Sequence, residues 1–125
     1  MQPNLSNIEN YKNFITEYLL TLGLEKEEAV IFATLTEKGP LSILELSRIT
    51  NIERTKIYGI VEKLKQQSFL TVTRDYKKKY VKACNFQALN LIIKQRIAQL
   101  QNLSIGTPIL KHYLDFLKKK ITLQM

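Results

Sequence analysis

The sequence is poor in the residue types on which disulfide frameworks, metal sites and membrane spans depend. Its 125 residues include one cysteine, one histidine and no tryptophan. The single thiol, Cys84, forms no disulfide within the chain, and one cysteine with one histidine supplies too few ligands for a metal site. No uninterrupted apolar run approaches the roughly 18 residues that a membrane-spanning helix needs. The composition therefore predicts no internal disulfide, no metal and no membrane partner.

Residue patterns typical of catalysis and of protein export are also missing. There is no Ser/His/Asp set, Gly-rich phosphate loop or pair of carboxylates at catalytic spacing, so we expect no enzymatic activity and no cofactor. Residues 1–10 are polar and lack the basic and apolar regions of a secretion signal. Together with the single cysteine, this predicts a cytoplasmic protein. Cys84 has two interpretations, a packed thiol or a redox sensor, and packing is the more common.

Charge is distributed unevenly along the chain, although the total of +8 already indicates a basic protein. Residues 1–41 hold three Lys and six Glu, a net charge of −3. Residues 42–82 hold ten Lys or Arg and four Asp or Glu, a net charge of +6, and residues 83–125 have a net charge of +5. A basic segment of this kind indicates a polyanionic partner.

Apolar residues recur at steps of three and four in the first half of the sequence, which predicts helices. The predicted helices are 8–22, 25–38, 42–49 and 53–67. Gly23 and Gly39 end the first two of these helices. Ser42 and Glu45 have the spacing of a capping box, which opens the third. A tight turn at 50–52 separates the third helix from the fourth.

A change of periodicity follows the fourth helix. Leu70–Thr73 and Lys79–Ala83 both alternate between apolar and polar residues, which is typical of strands. Arg74–Lys78 is polar and suited to a turn, although it contains no glycine to identify the turn type. These residues predict a short, basic β-hairpin.

Amphipathic helices complete the pattern. Phe86–Leu103 and Ile109–Ile121 are predicted to be separate helices, with a break at Ser104–Pro108. Their apolar stripes either pack back on the domain or pair with a second copy of the chain, and we favour an intertwined helical dimer. The predicted dimerisation residues are Leu89, Ile93, Ile97, Leu100, Leu103, Leu110, Leu114 and Leu117.

The predicted elements follow the order of a winged helix-turn-helix: a helix, a short helix, a tight turn, another helix and a basic hairpin. The predicted fold class is thus mainly α with a small β-hairpin wing, followed by C-terminal dimerisation helices. We divide the chain into a DNA-binding domain with an extra N-terminal helix, residues 1–85, and a helical dimerisation region, residues 86–125. In this architecture the second helix of the pair enters the major groove, led by its N-terminal residues.

The predicted DNA contacts come from three elements. The N-terminal N–H groups of the third helix are suited to a phosphate, and the hairpin tip to phosphates or the minor groove. The predicted DNA-binding residues are Ser42, Arg54, Thr55, Lys56, Tyr58, Lys63, Arg74, Lys77, Lys78 and Lys79. Tyr58 lies beside the apolar stripe of its helix, so packing and phosphate contact are equally good interpretations of this residue.

Several short stretches, in this order, resemble the DNA-binding part of the TrmB-type sugar-responsive regulators of archaea and bacteria. The stretches are Leu22-Gly23-Leu24, Glu28-Ala29, Gly39-Pro40-Leu41 and Arg54-Thr55-Lys56-Ile57-Tyr58, leading to Leu64 and Phe69-Leu70. The resemblance spans Leu19 to Ala83. It implies a winged helix, dimers, operator binding and a recognition helix that contains Arg54, Thr55, Lys56 and Tyr58. The sequence contains no counterpart of the family's sugar-binding effector domain, so we expect no sugar sensing, and any effector is unknown.

The function that these observations predict is sequence-specific binding of double-stranded DNA by a dimeric transcriptional regulator. Two alternatives are a protein-interaction module of a transcription-related complex and a non-specific architectural DNA-binding protein. The operator, the regulated genes and the sign of regulation do not follow from the sequence.

Overall fold

The computed structural model describes residues 8–124, so the prediction about a secretion signal lies largely outside the described residues. Helices and one two-stranded antiparallel sheet account for most of this range. The elements are α1 (Ile8–Thr21), α2 (Lys26–Lys38), α3 (Ile43–Thr50), α4 (Arg54–Gln66), β1 (Leu70–Asp75), β2 (Lys78–Ala83) and α5 (Phe86–Gln124). The predicted fold class is confirmed: a winged helix-turn-helix is followed by a long C-terminal helix.

The chain forms two compact units, one ending at Ala88 and one beginning at Leu89. The first unit has a single apolar core to which α1–α4 and β1 all contribute. Its largest fully buried side chains are Leu19, Ile31, Leu35, Leu46, Ile57, Leu64, Phe69 and Leu70. The rings of Phe32 and Phe69 meet edge to face, with centroids 6.0 Å apart, a favoured aromatic arrangement. Burial of each such side chain contributes about 1.5–3 kcal/mol to stability.

Glycines end the first two helices, as predicted. Gly23 has φ 105° and Gly39 has φ 82°, a region that glycine adopts without the steric cost of a Cβ atom. The Gly39 N–H donates to the Leu35 carbonyl over 2.9 Å. Two residues further on, Leu41 pairs with Val81 of β2 as an isolated antiparallel bridge.

The hairpin is longer than predicted, because its turn contains only two residues. Arg74 pairs with Lys79, and Asp75 pairs with Lys78, so the predicted turn of Arg74–Lys78 shortens to residues 76–77. Asp75 and Lys78 occupy facing positions at the end of the ladder, and oppositely charged residues at facing positions favour such strand pairing. Tyr76 supplies the positive φ of the turn, 55°.

The predicted break at residues 104–108 is wrong, because α5 is one helix of 39 residues with Pro108 inside it. Proline in a helix interior removes one backbone donor and crowds the carbonyl four residues earlier, a cost of about 3 kcal/mol. That cost is confined to one turn, and α5 continues on both sides of it. Next to the proline, the Thr107 hydroxyl donates to the Leu103 carbonyl over 2.9 Å. The two predicted C-terminal helices are therefore one.

Candidate nucleic-acid interface

Two hydrogen bonds connect the turn between α3 and α4 to Ser47 of α3. Asn51 has φ 58°, in the left-handed region that asparagine tolerates, and its N–H donates to the Ser47 carbonyl over 2.9 Å. The Ser47 hydroxyl in turn donates to the Ile52 carbonyl over 2.7 Å. These contacts determine the direction in which α4 leaves the turn, and therefore the direction of the predicted recognition helix.

The α4 helix is buried on one face and exposed on the other. Its buried residues are Ile57, Ile60, Val61 and Leu64. Arg54, Thr55 and Lys56 are exposed in its first turn. Tyr58 is 62% exposed, so its ring lies mainly at the surface. Opposite the buried face, the exposed residues include Glu62, which sequence reasoning overlooked although it lies seven residues beyond Thr55 on the same side of the helix.

Two lysines of α4 are ion-paired with glutamates of α2. The Lys56 ammonium group contacts the Glu27 carboxylate, and Lys63 Nζ lies 2.8 Å from Glu28 Oε2. In each case the hydrogen bond to the glutamate is the main reason that the lysine pKa is raised. Lys56 and Lys63 therefore differ from Arg54, for which no ion pair is found among the described residues: the positive charge of each lysine is already partly compensated by a glutamate of the same protein.

Glu28 is the unusual member of these pairs, because it is only 3% exposed. Its Oε1 accepts the backbone N–H of Glu25 over 2.9 Å, while its Oε2 accepts from Lys63. The long-range partner was missed, since a contact between residues 28 and 63 leaves no trace in local periodicity.

The predicted capping box at the start of α3 is confirmed. Glu45 N–H donates to Ser42 Oγ over 3.1 Å, and Ser42 N–H donates to Glu45 Oε1 over 3.2 Å. The backbone hydrogen bond from Ser42 is the main reason that the Glu45 pKa is lowered, and the charges of Lys78 and Arg48 contribute. The electrostatic effect of Lys78 indicates that the base of the hairpin turn lies near the start of α3.

The hairpin is attached to the helix-turn-helix at the residue before the α3 cap. Leu41 N–H donates to the Val81 carbonyl over 3.0 Å, and Val81 N–H donates to the Leu41 carbonyl over 2.7 Å. The predicted cations of the hairpin are all exposed and close to its turn: Arg74, Lys77, Lys78 and Lys79. Tyr76, which the sequence analysis did not select, is 98% exposed at the tip.

Cys84 follows β2 and is partly buried. Its N–H donates to the Phe69 carbonyl over 2.8 Å. Burial raises the pKa of its thiol, which lowers the fraction of reactive thiolate at neutral pH. Within residues 8–124, no group of three or more His, Cys, Asp or Glu side chains is arranged to hold a metal ion.

None of the described helices combines the length and the apolar character that a membrane crossing requires.

A three-helix core with a helix-turn-helix and a two-stranded wing defines the winged helix-turn-helix class of DNA-binding domains. The sequence matches the family model of the sugar-specific transcriptional regulator TrmB over residues 19–86, which is more than half of the chain. The chain therefore belongs to the TrmB family, whose members are DNA-binding transcriptional regulators and not enzymes. No curated protein matches the sequence.

Solved structures with the same fold include TrmBL2, an archaeal chromatin protein, at a TM-score of 0.70 and 19% sequence identity. That match covers 83% of this chain and 40% of TrmBL2, so the chain spans well under half the length of that relative. A possible transcriptional regulator from Methanosarcina mazei matches at a TM-score of 0.58 and 16% identity, over 72% of this chain and 80% of that one. A MarR family protein from Bacillus stearothermophilus matches at a TM-score of 0.52 and 18% sequence identity. That match covers 91% of this chain and 86% of the MarR family protein. At these identities the similarity shows the fold alone.

Proposed function

We propose that this protein is a sequence-specific regulator that binds an operator in double-stranded DNA as a homodimer, in the cytoplasm. The observation that supports this most directly is the exposed first turn of α4. It presents Arg54, Thr55 and Lys56 at the end of a helix whose direction is set by the turn at Asn51. In winged helix-turn-helix proteins this end of the recognition helix contacts base edges.

The proposed contacts divide between base edges and the DNA backbone. We assign base contacts to Arg54 and Thr55, because arginine pairs with guanine and threonine contacts the thymine methyl group. The remaining predicted residues are assigned to phosphates or to the minor groove: Ser42, Lys56, Tyr58, Arg74, Lys77, Lys78 and Lys79. Lys63 is assigned a positioning role instead, because Glu28 binds its ammonium group at 2.8 Å.

The continuity of α5 supports the proposed dimer. The predicted dimerisation residues other than Ile97 follow one another along α5 at steps of three, four or seven: Leu89, Ile93, Leu100, Leu103, Leu110, Leu114 and Leu117. Arg96 interrupts this heptad register between Ile93 and Leu100. Because the helix is continuous through Pro108, these residues form one heptad-like seam in place of two shorter stripes. Leu100, Leu103 and Leu110 are 65%, 68% and 57% exposed. An exposed apolar seam of this length is typical of an interface, and a second α5 presents the complementary seam.

Leu110→Glu tests the dimer, with Lys118→Glu on the same helix as its control. We expect the first variant to sediment as a monomer and to lose affinity for a two-half-site operator by about a hundredfold or more, since a single domain makes half of the contacts. The control is expected to remain dimeric. A wild-type protein that is monomeric at micromolar concentration would refute the dimer.

Operator selection tests the specificity. Genomic fragments that bind the protein are sequenced, and the best fragment is titrated beside a scrambled fragment at physiological salt. We expect an inverted repeat and a preference of about a thousandfold or more over the scrambled fragment. Arg54→Ala is then expected to weaken operator binding more than binding to scrambled DNA, whereas Lys56→Ala, which removes a proposed phosphate contact, should weaken both alike.

Architectural DNA binding is the second candidate function. The fold of this chain resembles that of TrmBL2, which is described as an archaeal chromatin protein with a novel mode of DNA binding. Exposed lysines at 77–79 are suited to phosphate contacts that ignore sequence. Equal affinity for selected and scrambled fragments, with a steep dependence on salt, would favour this function. Absence of binding to both would favour a protein-interaction module.

A further inference from the structure

Gly59 lies in the middle of α4, where glycine destabilises a helix relative to alanine. Glycine is often required by a positive φ or by close packing, and neither applies here. The positive-φ glycines are at positions 23 and 39. A Cβ atom added at Gly59 would meet no heavy atom within 4 Å. The protein therefore retains a destabilising residue for which the described structure contains no internal reason.

The position of Gly59 suggests that a molecule bound by the protein, and not the fold itself, requires a glycine there. Steps of four and three residues along α4 place Thr55, Gly59 and Glu62 on one side of the helix, and all three are exposed. The core residues Ile57 and Leu64 lie on the opposite side and are fully buried. Gly59 is thus at the centre of the surface that the proposed complex directs into the major groove.

Glu62 is the second unexplained residue on this surface. Within the described part of the chain, its carboxylate has neither an ion pair nor a hydrogen-bond partner, and Lys65, three residues further on, does not pair with it. A free carboxylate that faces phosphates weakens binding to DNA of any sequence. It becomes favourable where it accepts a hydrogen bond from a base, and the N4 amino group of cytosine is the donor in the major groove that suits a carboxylate.

We propose that DNA comes closest to α4 at Gly59, and that Glu62 is a specificity-determining residue that accepts a hydrogen bond from a cytosine. The inference rests on the proposed function, because it assigns contacts within the same DNA complex. The bare backbone at Gly59 permits the close approach, and this approach brings the Glu62 carboxylate within reach of a base edge.

Gly59→Ala tests the close approach, because folding and binding are expected to change in opposite directions. The variant should raise the melting temperature by about 3–6 °C and lower operator affinity by about tenfold or more. Thr36→Ala is the matched control: it raises helix propensity at an exposed site of α2, so it should leave operator affinity unchanged. A Gly59→Ala protein with wild-type operator affinity would refute the close approach.

Glu62→Gln tests the base contact on the wild-type operator and on operators that replace each C·G pair of a half-site in turn. We expect the variant to lose about tenfold in discrimination at one C·G position and to bind scrambled DNA more tightly than the wild type. Glu17→Gln, on α1, should change neither quantity. Unchanged discrimination at every position would refute the role of Glu62.

These outcomes are separable from failure of the proposed function. A wild-type protein with no operator preference refutes the proposed function and the base contact together. A wild-type protein with strong preference, combined with neutral effects of both substitutions, refutes this inference alone.

Discussion

Lys63 Nζ of α4 lies 2.8 Å from Glu28 Oε2 at the start of α2. The same carboxylate accepts the Glu25 N–H through its other oxygen, over 2.9 Å, and is only 3% exposed. One buried carboxylate therefore caps one helix and positions another. This contact connects the stability of the domain to the placement of α4, the proposed recognition helix.

Glu28→Ala is expected to destabilise the protein by about 2 kcal/mol, because both hydrogen bonds to the carboxylate are lost. Lys63→Ala should also lower the urea midpoint, since it leaves Glu28 with a single donor. Lys65→Ala is the control on the same helix and should leave the midpoint near that of the wild type. Equal midpoints for Lys63→Ala and Lys65→Ala would contradict a structural role of the pair.

Glu27→Gln is expected to strengthen DNA binding, because it frees the Lys56 ammonium group for a phosphate. Each additional phosphate contact steepens the plot of log affinity against log salt by about 0.9, and we expect up to that change. Glu37→Gln provides the control: it also removes an ion pair from α2, between Lys12 and Glu37, but none with α4. Fluorescence titrations at several salt concentrations measure the slope, and identical slopes for the two variants would exclude competition between Glu27 and DNA.

Stability should depend on pH through Glu45. Its pKa is lowered in the folded protein, so the folded state favours the ionised carboxylate. The resulting stabilisation is fully present above the ordinary glutamate pKa and is lost as pH falls through the lowered value. We expect the advantage of wild type over Glu45→Gln to decrease as pH falls from about 6 to about 3.

Urea unfolding at a series of pH values measures this advantage. Glu62→Gln serves as the reference, since it removes an exposed carboxylate that lacks the Ser42 contacts. An advantage of wild type over Glu45→Gln that increases toward acid pH would have the wrong sign for the capping interaction.

Cys84 is expected to behave as a packed thiol. Because burial raises its pKa, alkylation by iodoacetamide at pH 7.5 should be slower in the folded protein than in the urea-unfolded chain. Operator binding should be unaffected by mild peroxide treatment, and Cys84→Ser should bind as the wild type does. Rapid modification accompanied by loss of binding would support the redox sensor that the sequence left as an alternative.

Local features of this fold were predictable from the sequence because they depend on nearby residues. The capping box of Ser42 and Glu45 depends on two residues three positions apart, and the stops at Gly23 and Gly39 depend on one residue each. The resemblance to the TrmB family, read from short stretches between Leu19 and Ala83, agrees with the family match over residues 19–86.

Features that depend on competing energies or on distant residues were missed. Pro108 favours a break by a local rule, yet α5 continues through it as one helix. The ion pairs of Lys56 and Lys63 join residues far apart in the chain, so periodicity contains no information about them. Glu62 was overlooked for a different reason. The sequence analysis selected basic residues as DNA contacts and did not consider a carboxylate on the same face of α4.

The backbone bridge between Leu41 and Val81 has a consequence for the mechanics of recognition. It joins the wing to the residue that precedes the α3 cap, so a movement of this part of β2 away from the helix-turn-helix would break two backbone hydrogen bonds. In the proposed complex, the separation between the recognition helix and the wing tip is then nearly constant. In the proposed complex we therefore expect sequences whose groove width adapts to that separation at low energetic cost to be favoured, even at base pairs that no side chain touches.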